Sequence, residues 1–160
     1  MMFLFRRILA IMVFCSLSLP ICALDVVYGS LFQVKGITIE QGRPVLPLTR
    51  KKYANVKILD EATYRWLLSC REPSCLQTPS EGKTDIISLR RAKTRPGMWI
   101  SQVAVDQRWL LTLLIFQNPD GYAVVVPETI LIMKDSWRKQ IERQLVRELT
   151  SVNKEEENEM

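Results

Sequence analysis

The chain contains no histidine. That absence removes Ser-His-Asp and Cys-His nucleophilic catalysis, histidine-ligated metals and histidine-based pH switching from the functions open to it. Cysteine is scarce, with four in 160 residues, and two of those, Cys15 and Cys22, stand near the N-terminus. Cys70 and Cys75 cannot close a zinc site of Cys and His, because no further Cys or His remains after Cys22 to complete it. Gly-rich phosphate loops, calcium loops and serine-nucleophile motifs are missing too. No metal and no cofactor is expected. A carboxylate-based hydrolase remains the one enzyme class that this composition permits. No Asp or Glu pair is marked for it, so no catalytic residue is assigned and the protein reads as a non-enzyme.

A long hydrophobic run is also lacking. Ile8–Leu19 is twelve residues, whereas a membrane-spanning helix needs about 20. Arg6 and Arg7 precede this stretch, Pro20 breaks it, and Ile21-Cys22-Ala23 places a small residue at a cleavage point. Residues 1–23 are therefore expected to be a cleaved secretory signal peptide. The alternatives are an uncleaved anchor or lipidation at Cys22, the latter poorly served by Pro20 and Ile21 just before it. There is no Asn-x-Ser/Thr sequon, which favours a bacterial periplasm over a glycosylating secretory route. A secreted or membrane-tethered form is the other option.

What the chain does have is apolar content of 48% and charged content of 24%, enough for one packed domain of ordinary size. The expected organisation is a single α+β domain over 24–153 and a disordered acidic tail over 154–160. Lys+Arg number 22 against 17 Asp+Glu, and the tail Lys-Glu-Glu-Glu-Asn-Glu-Met leaves the body more basic than the whole. A basic body suits acidic proteins, anionic glycans or lipid headgroups, whereas an exported chain of modest charge is not expected to bind nucleic acid. Cys70-Arg71-Glu72-Pro73-Ser74-Cys75 reads as a structural disulfide in an exported chain. Its short loop limits the gain to about 2 kcal/mol.

Along the chain, Asp25 to Val34 reads as a strand turned by Lys35-Gly36. A second short strand over residues 37–40 follows, then a turn at Gln41-Gly42-Arg43. Pro44 and Pro47 make the next stretch edge strand or loop, and it carries a basic patch, Arg50-Lys51-Lys52-Tyr53. Val56 to Leu59 is a strand, and Asp60 caps a short helix over Ala62 to Cys70. Glu72 to Gly82 reads as loop. Asp85 to Lys93, Met98 to Val105, Arg108 to Gln117 and Tyr122 to Met133 form an antiparallel meander, its last turn marked by Asn118-Pro119-Asp120-Gly121. Within the last strand Pro127 leaves residues 127–133 open between strand and helix, with the β-branched residues favouring strand. Trp109 to Phe116, apolar on both faces, is expected to be a central strand covered on both sides. Trp137, Ile141, Leu145, Leu149 and Val152 recur at helical spacing, which predicts a C-terminal amphipathic helix packed on the sheet.

The most pointed cluster is the hairpin carrying Arg90, Arg91, Lys93 and Arg95, with Trp99 just beyond. Guanidinium groups on a projecting ribbon suit capture of carboxylate or phosphate, and a nearby indole suits stacking. The sequence thus points to a small exported protein that binds another envelope protein through this hairpin or an exposed sheet face. A polyanion- or glycan-binding module on the same residues is the alternative. An exposed sheet face would also serve a homodimer.

Overall fold

A computed structural model of the protein describes residues 23–48, 55–78 and 80–158. The expected signal segment up to residue 22 and the basic patch Arg50-Lys51-Lys52-Tyr53 lie outside the described residues.

β1 (Leu24–Tyr28) alternates buried and half-buried side chains, as a strand with one face on a core should. The chain reverses at Gly29-Ser30-Leu31 into β2 (Phe32–Glu40). Gly29 has φ +54, and a Cβ there would collide with the Ser80 hydroxyl, so the position requires glycine. The sequence suggested the first turn at Lys35-Gly36. This pair instead forms a bulge inside β2, where Gly36 takes φ +76 and its N–H donates to Asp25 Oδ1 at 3.0 Å. Gln41 and Gly42, at φ 51 and 72, make the expected turn to β3 (Arg43–Val45), a short edge strand that tolerates Pro44.

After β4 (Val56–Ile58), Asp60 caps α1 (Glu61–Ser69) by accepting the Thr63 N–H at 3.3 Å, as expected. β5 (Ser74–Gln77) lies in what read as loop. It runs parallel to β1 and carries no alternation of apolar and polar residues that would have betrayed it. β6 (Thr84–Arg91), β7 (Met98–Val105), β8 (Trp109–Asn118) and β9 (Gly121–Val125) then form the antiparallel meander that their turn residues implied.

Residues 122–133 are not one strand. The ladder of β9 ends before Pro127, and the chain crosses to the other sheet, where β10 (Ile130–Ile132) pairs with β2. The stretch after Pro127 is thus strand, not helix, and the proline sits at the crossing, where it has no ladder partner to deny. α2 (Asp135–Asn158) closes the chain. Its helical backbone enters the acidic stretch expected to be disordered. Lys and Glu are good helix formers, so the backbone continues beyond the last apolar contact.

The fold is α+β, with two sheets and two helices. One sheet has the order β10-β2-β1-β5 with β3 beside β2, and the other has the order β4-β8-β7-β6 with β9 beside β8. The sheets face each other across an aromatic centre. Trp109 meets Tyr28 at 6.4 Å and Phe32 at 6.2 Å between ring centroids, and Trp137 of α2 stacks on Phe32 at 5.6 Å. The predicted helical stripe Trp137, Ile141, Leu145 and Leu149 is buried. Polar groups taken into this core are paired. Trp109 Nε1 donates to Gln77 Oε1 at 2.8 Å, and Gln77 Nε2 donates to Thr63 Oγ1 at 3.0 Å.

β8 is central, but it is not covered equally on its two sides. Trp109, Leu111, Leu113 and Ile115 are buried under the first sheet and α2. Leu114 and Phe116 on the opposite face are only half-buried. The first sheet and α2 share one face, which leaves the other without a second layer among the described residues.

Candidate functional site: the basic hairpin and the open sheet face

The β6–β7 hairpin is closed by Ala92 N–H to Met98 O at 2.8 Å and anchored to β8 by Gln117 N–H to Gly97 O at 2.8 Å. Strand pairing then sorts its side chains. Arg91 stands opposite Trp99, and Trp99 opposite Ile115, on the inward face. Arg90 stands opposite Ile100, and Ile100 opposite Leu114, on the outward face. The five candidate residues are therefore divided between two faces and the hairpin tip.

Trp99 is not the open stacking platform that the sequence suggested. It is 5% exposed, packed edge-on against Tyr122 at 5.7 Å. An indole next to a charged turn still lies on the inward register of its strand, so its area goes to the core. Arg91 lies over it, with its guanidinium carbon 5.8 Å from the ring centre. Arg91 also donates to Asn153 Oδ1 at 3.4 Å, and Asn153 Nδ2 donates to the Tyr122 hydroxyl at 3.1 Å. This chain of contacts ties the hairpin base to the end of α2.

Arg91, Arg95 and Trp99 do converge. With Gln117 and the tip backbone they line a cleft of about 200 Å³, and Arg90 and Lys93 stand outside it. Arg95 covers the Phe116 ring at 5.3 Å, which puts its charge at the edge of the outward face. No ion pair involves Arg90, Lys93 or Arg95 among the described residues, so their charge faces outward uncompensated.

The sequence offered an exposed sheet face as a binding surface without naming its residues, and the outward face of the second sheet supplies them. Register lines up Arg90, Ile100, Leu114 and Val125 in one row across four strands, with Met98, Phe116 and Ala123 in the next. Val125 is 43% exposed, and Ile100, Leu114 and Phe116 are half-buried. The doubly apolar pattern of β8 was the signal, although it read as a strand covered twice. The arrangement is an apolar band with arginines at its rim, the composition favoured at protein interfaces.

Cys70 and Cys75 are thiols in the structure. Burial, and after it the neighbouring Cys75 thiol, push the Cys70 thiol up to about 12. A thiol so disposed is a poor thiolate nucleophile at neutral pH. No group of three or more Cys, Asp or Glu is placed to hold a metal ion among the described residues. No helix among them is long and apolar enough to cross a membrane. The chain matches no family model, no curated protein and no solved structure.

Proposed function

We propose that this is an exported, non-enzymatic protein of a bacterial envelope, periplasmic once residues 1–23 are removed, that binds another envelope protein through the outward face of its second sheet. The observation that carries the reading is the row Ile100, Leu114 and Val125 with Phe116 beside it, rimmed by Arg90 and Arg95. Apolar area supplies the affinity, and the exposed rim arginines favour an acidic rim on the partner. Export rests on the pattern of Met1 to Ala23.

The polyanion or glycan reading draws on the 200 Å³ cleft between Arg91 and Arg95. It loses the stacking surface of Trp99, which is buried, and Arg91 is already engaged with Trp99 and Asn153. Ionic strength separates the two readings. Binding to a polyanion weakens steeply as salt rises, and an apolar interface holds.

Arg90→Glu with Arg95→Glu is the variant that tests the rim. Both side chains are exposed and outside the core, so the unfolding free energy should stay within about 0.5 kcal/mol of wild type. Capture of the partner should fall at least about tenfold. Unchanged capture by the folded variant removes the hairpin from the binding surface.

In an oxidising compartment Cys70 and Cys75 should join, fixing the end of α1 to β5. Intact-mass analysis after alkylation without reductant checks this. The exported protein is expected to take no alkyl groups and to lose about 2 kcal/mol or less on reduction. Two alkylated cysteines would show that the pair stays reduced.

A further inference from the structure

We propose that the groove between the 81–83 loop and the first turns of α2 is a binding site for a phosphomonoester anion, separate from the protein-binding face. The groove is open, with a volume of about 500 Å³, and is lined by Lys83, Lys134 and Arg143 together with Ser136 and Gln140. Glu81 is the one carboxylate on its wall. None of the three cations forms an ion pair among the described residues. Five side chains able to donate hydrogen bonds thus line one concavity with a single acid on its wall; Asp135 in the first turn of α2 offsets the helix end and is itself paired with Lys139 at 2.8 Å. Three cations against Glu81 on the wall, with the Asp106 carboxylate behind the loop, leave the groove net positive, which suits a phosphomonoester anion. The volume leaves room for the group that the phosphate esterifies.

The walls are built, not incidental. The Asp106 carboxylate accepts the N–H groups of Glu81, Gly82 and Lys83 at 2.9, 3.1 and 2.7 Å. Trp137 Nε1 donates to Gly82 O at 3.0 Å, which latches the loop onto the first turn of α2. Gly82 lies so close to Leu31 and Trp137 that a Cβ would come within 3.1 Å of Leu31. The backbone carrying Lys83 is thus fixed relative to the helix carrying Arg143 before any ligand arrives, which lowers the ordering cost of binding. The groove lies near Trp137 and the hairpin contact near Asn153, about 24 Å apart along the helix, so the two sites can be tested independently.

The test is a titration of the ¹⁵N-labelled full domain, reading the Trp137 indole N–H, whose assignment comes from Trp137→Phe. Inorganic phosphate and glycerol 3-phosphate are added in solution, and vesicles of phosphatidylcholine with phosphatidic acid are added separately. The expected result is a saturable shift with a soluble phosphate, weakened at least about tenfold by Lys83→Ala with Arg143→Ala. Both residues are exposed, so the remaining spectrum should be unchanged. Saturation by vesicles alone, lost in the same variant, also supports the site and assigns it a lipid-borne phosphate. No saturable shift with any of the three, or equal shifts in the variant, overturns the proposal.

Discussion

Leu113→Asp is expected to leave the chain without a cooperative unfolding transition. Leu113 is fully buried, in the middle of β8 and opposite Ser101 of β7. β7 pairs with it on one side, β4 and β9 pair with the residues just before and after it on the other, and the first sheet and α2 lie above it. Removing the leucine forfeits about 2–5 kcal/mol of packing. A carboxylate in its place must either be desolvated, at several kcal/mol, or take up a proton to stay neutral. Those losses together approach the whole stability of a domain, about 5–15 kcal/mol. Near-UV circular dichroism and a urea titration read the outcome, with Leu113→Met as a volume-conserving control expected to cost less than about 1.5 kcal/mol. A soluble Leu113→Asp protein with a wild-type transition would contradict the placement of β8 at the centre.

The second large effect falls on Asp106. It sits in the turn from β7 to β8 at φ +50, and its carboxylate accepts the buried Tyr28 hydroxyl at 2.7 Å and holds three loop N–H groups. It thereby joins β1 of one sheet to the turn of the other and to the loop before β6. Asp106→Ala removes all four bonds and places a Cβ-only residue in the left-handed region, at a cost of about 3 kcal/mol or more. Asp106→Asn tolerates that backbone and keeps the acceptor at Oδ2 for Tyr28, Glu81 and Gly82. Its amide nitrogen would then face the Lys83 N–H, donor to donor, so the loss should be smaller but real.

The same contacts set a pH dependence. Burial alone would raise the Asp106 carboxyl, but the bonds from Tyr28, Gly82, Lys83 and Glu81 outweigh it and hold the group below the usual carboxylate range. The unfolded chain takes up the proton first, near pH 4. The contribution of Asp106 is thus fully present above that value and is lost as pH falls through the lower folded value. Urea midpoints measured from pH 6 down to pH 2 should fall more steeply for wild type than for Asp106→Asn. Parallel curves would mean that Asp106 does not drive the acid response.

The second half of the chain was more legible than the first, for physical reasons. β6 to β9 are joined by short turns rich in Gly, Pro, Asn and Asp, and local chemistry places them. The stripe of α2 has a clear helical period. β5 is four residues long, and its strand state comes from a partner distant in sequence, so no local signal announces it; the β-branched residues after Pro127 announced strand at β10, but not its crossing to the other sheet. Gly36 shows the same limit, because a glycine that permits a bulge reads like one that permits a turn. In the binding cluster, the cations of the hairpin were legible, but not their division between faces. That division is set by the register with β8, which buries Trp99 and turns Arg90 toward Ile100 and Leu114.

The claim that the outward face of the second sheet binds a partner is tested most directly by site-specific photo-crosslinking in the native envelope. One reactive group stands at Val125 on that face, and another at Leu131, which is exposed on the first sheet. The account predicts one protein adduct from Val125 that persists at high salt, is lost in the Arg90→Glu/Arg95→Glu background, and does not form from Leu131. No protein adduct from Val125, with the protein instead held on an anionic glycan or lipid fraction and released by salt, would contradict it.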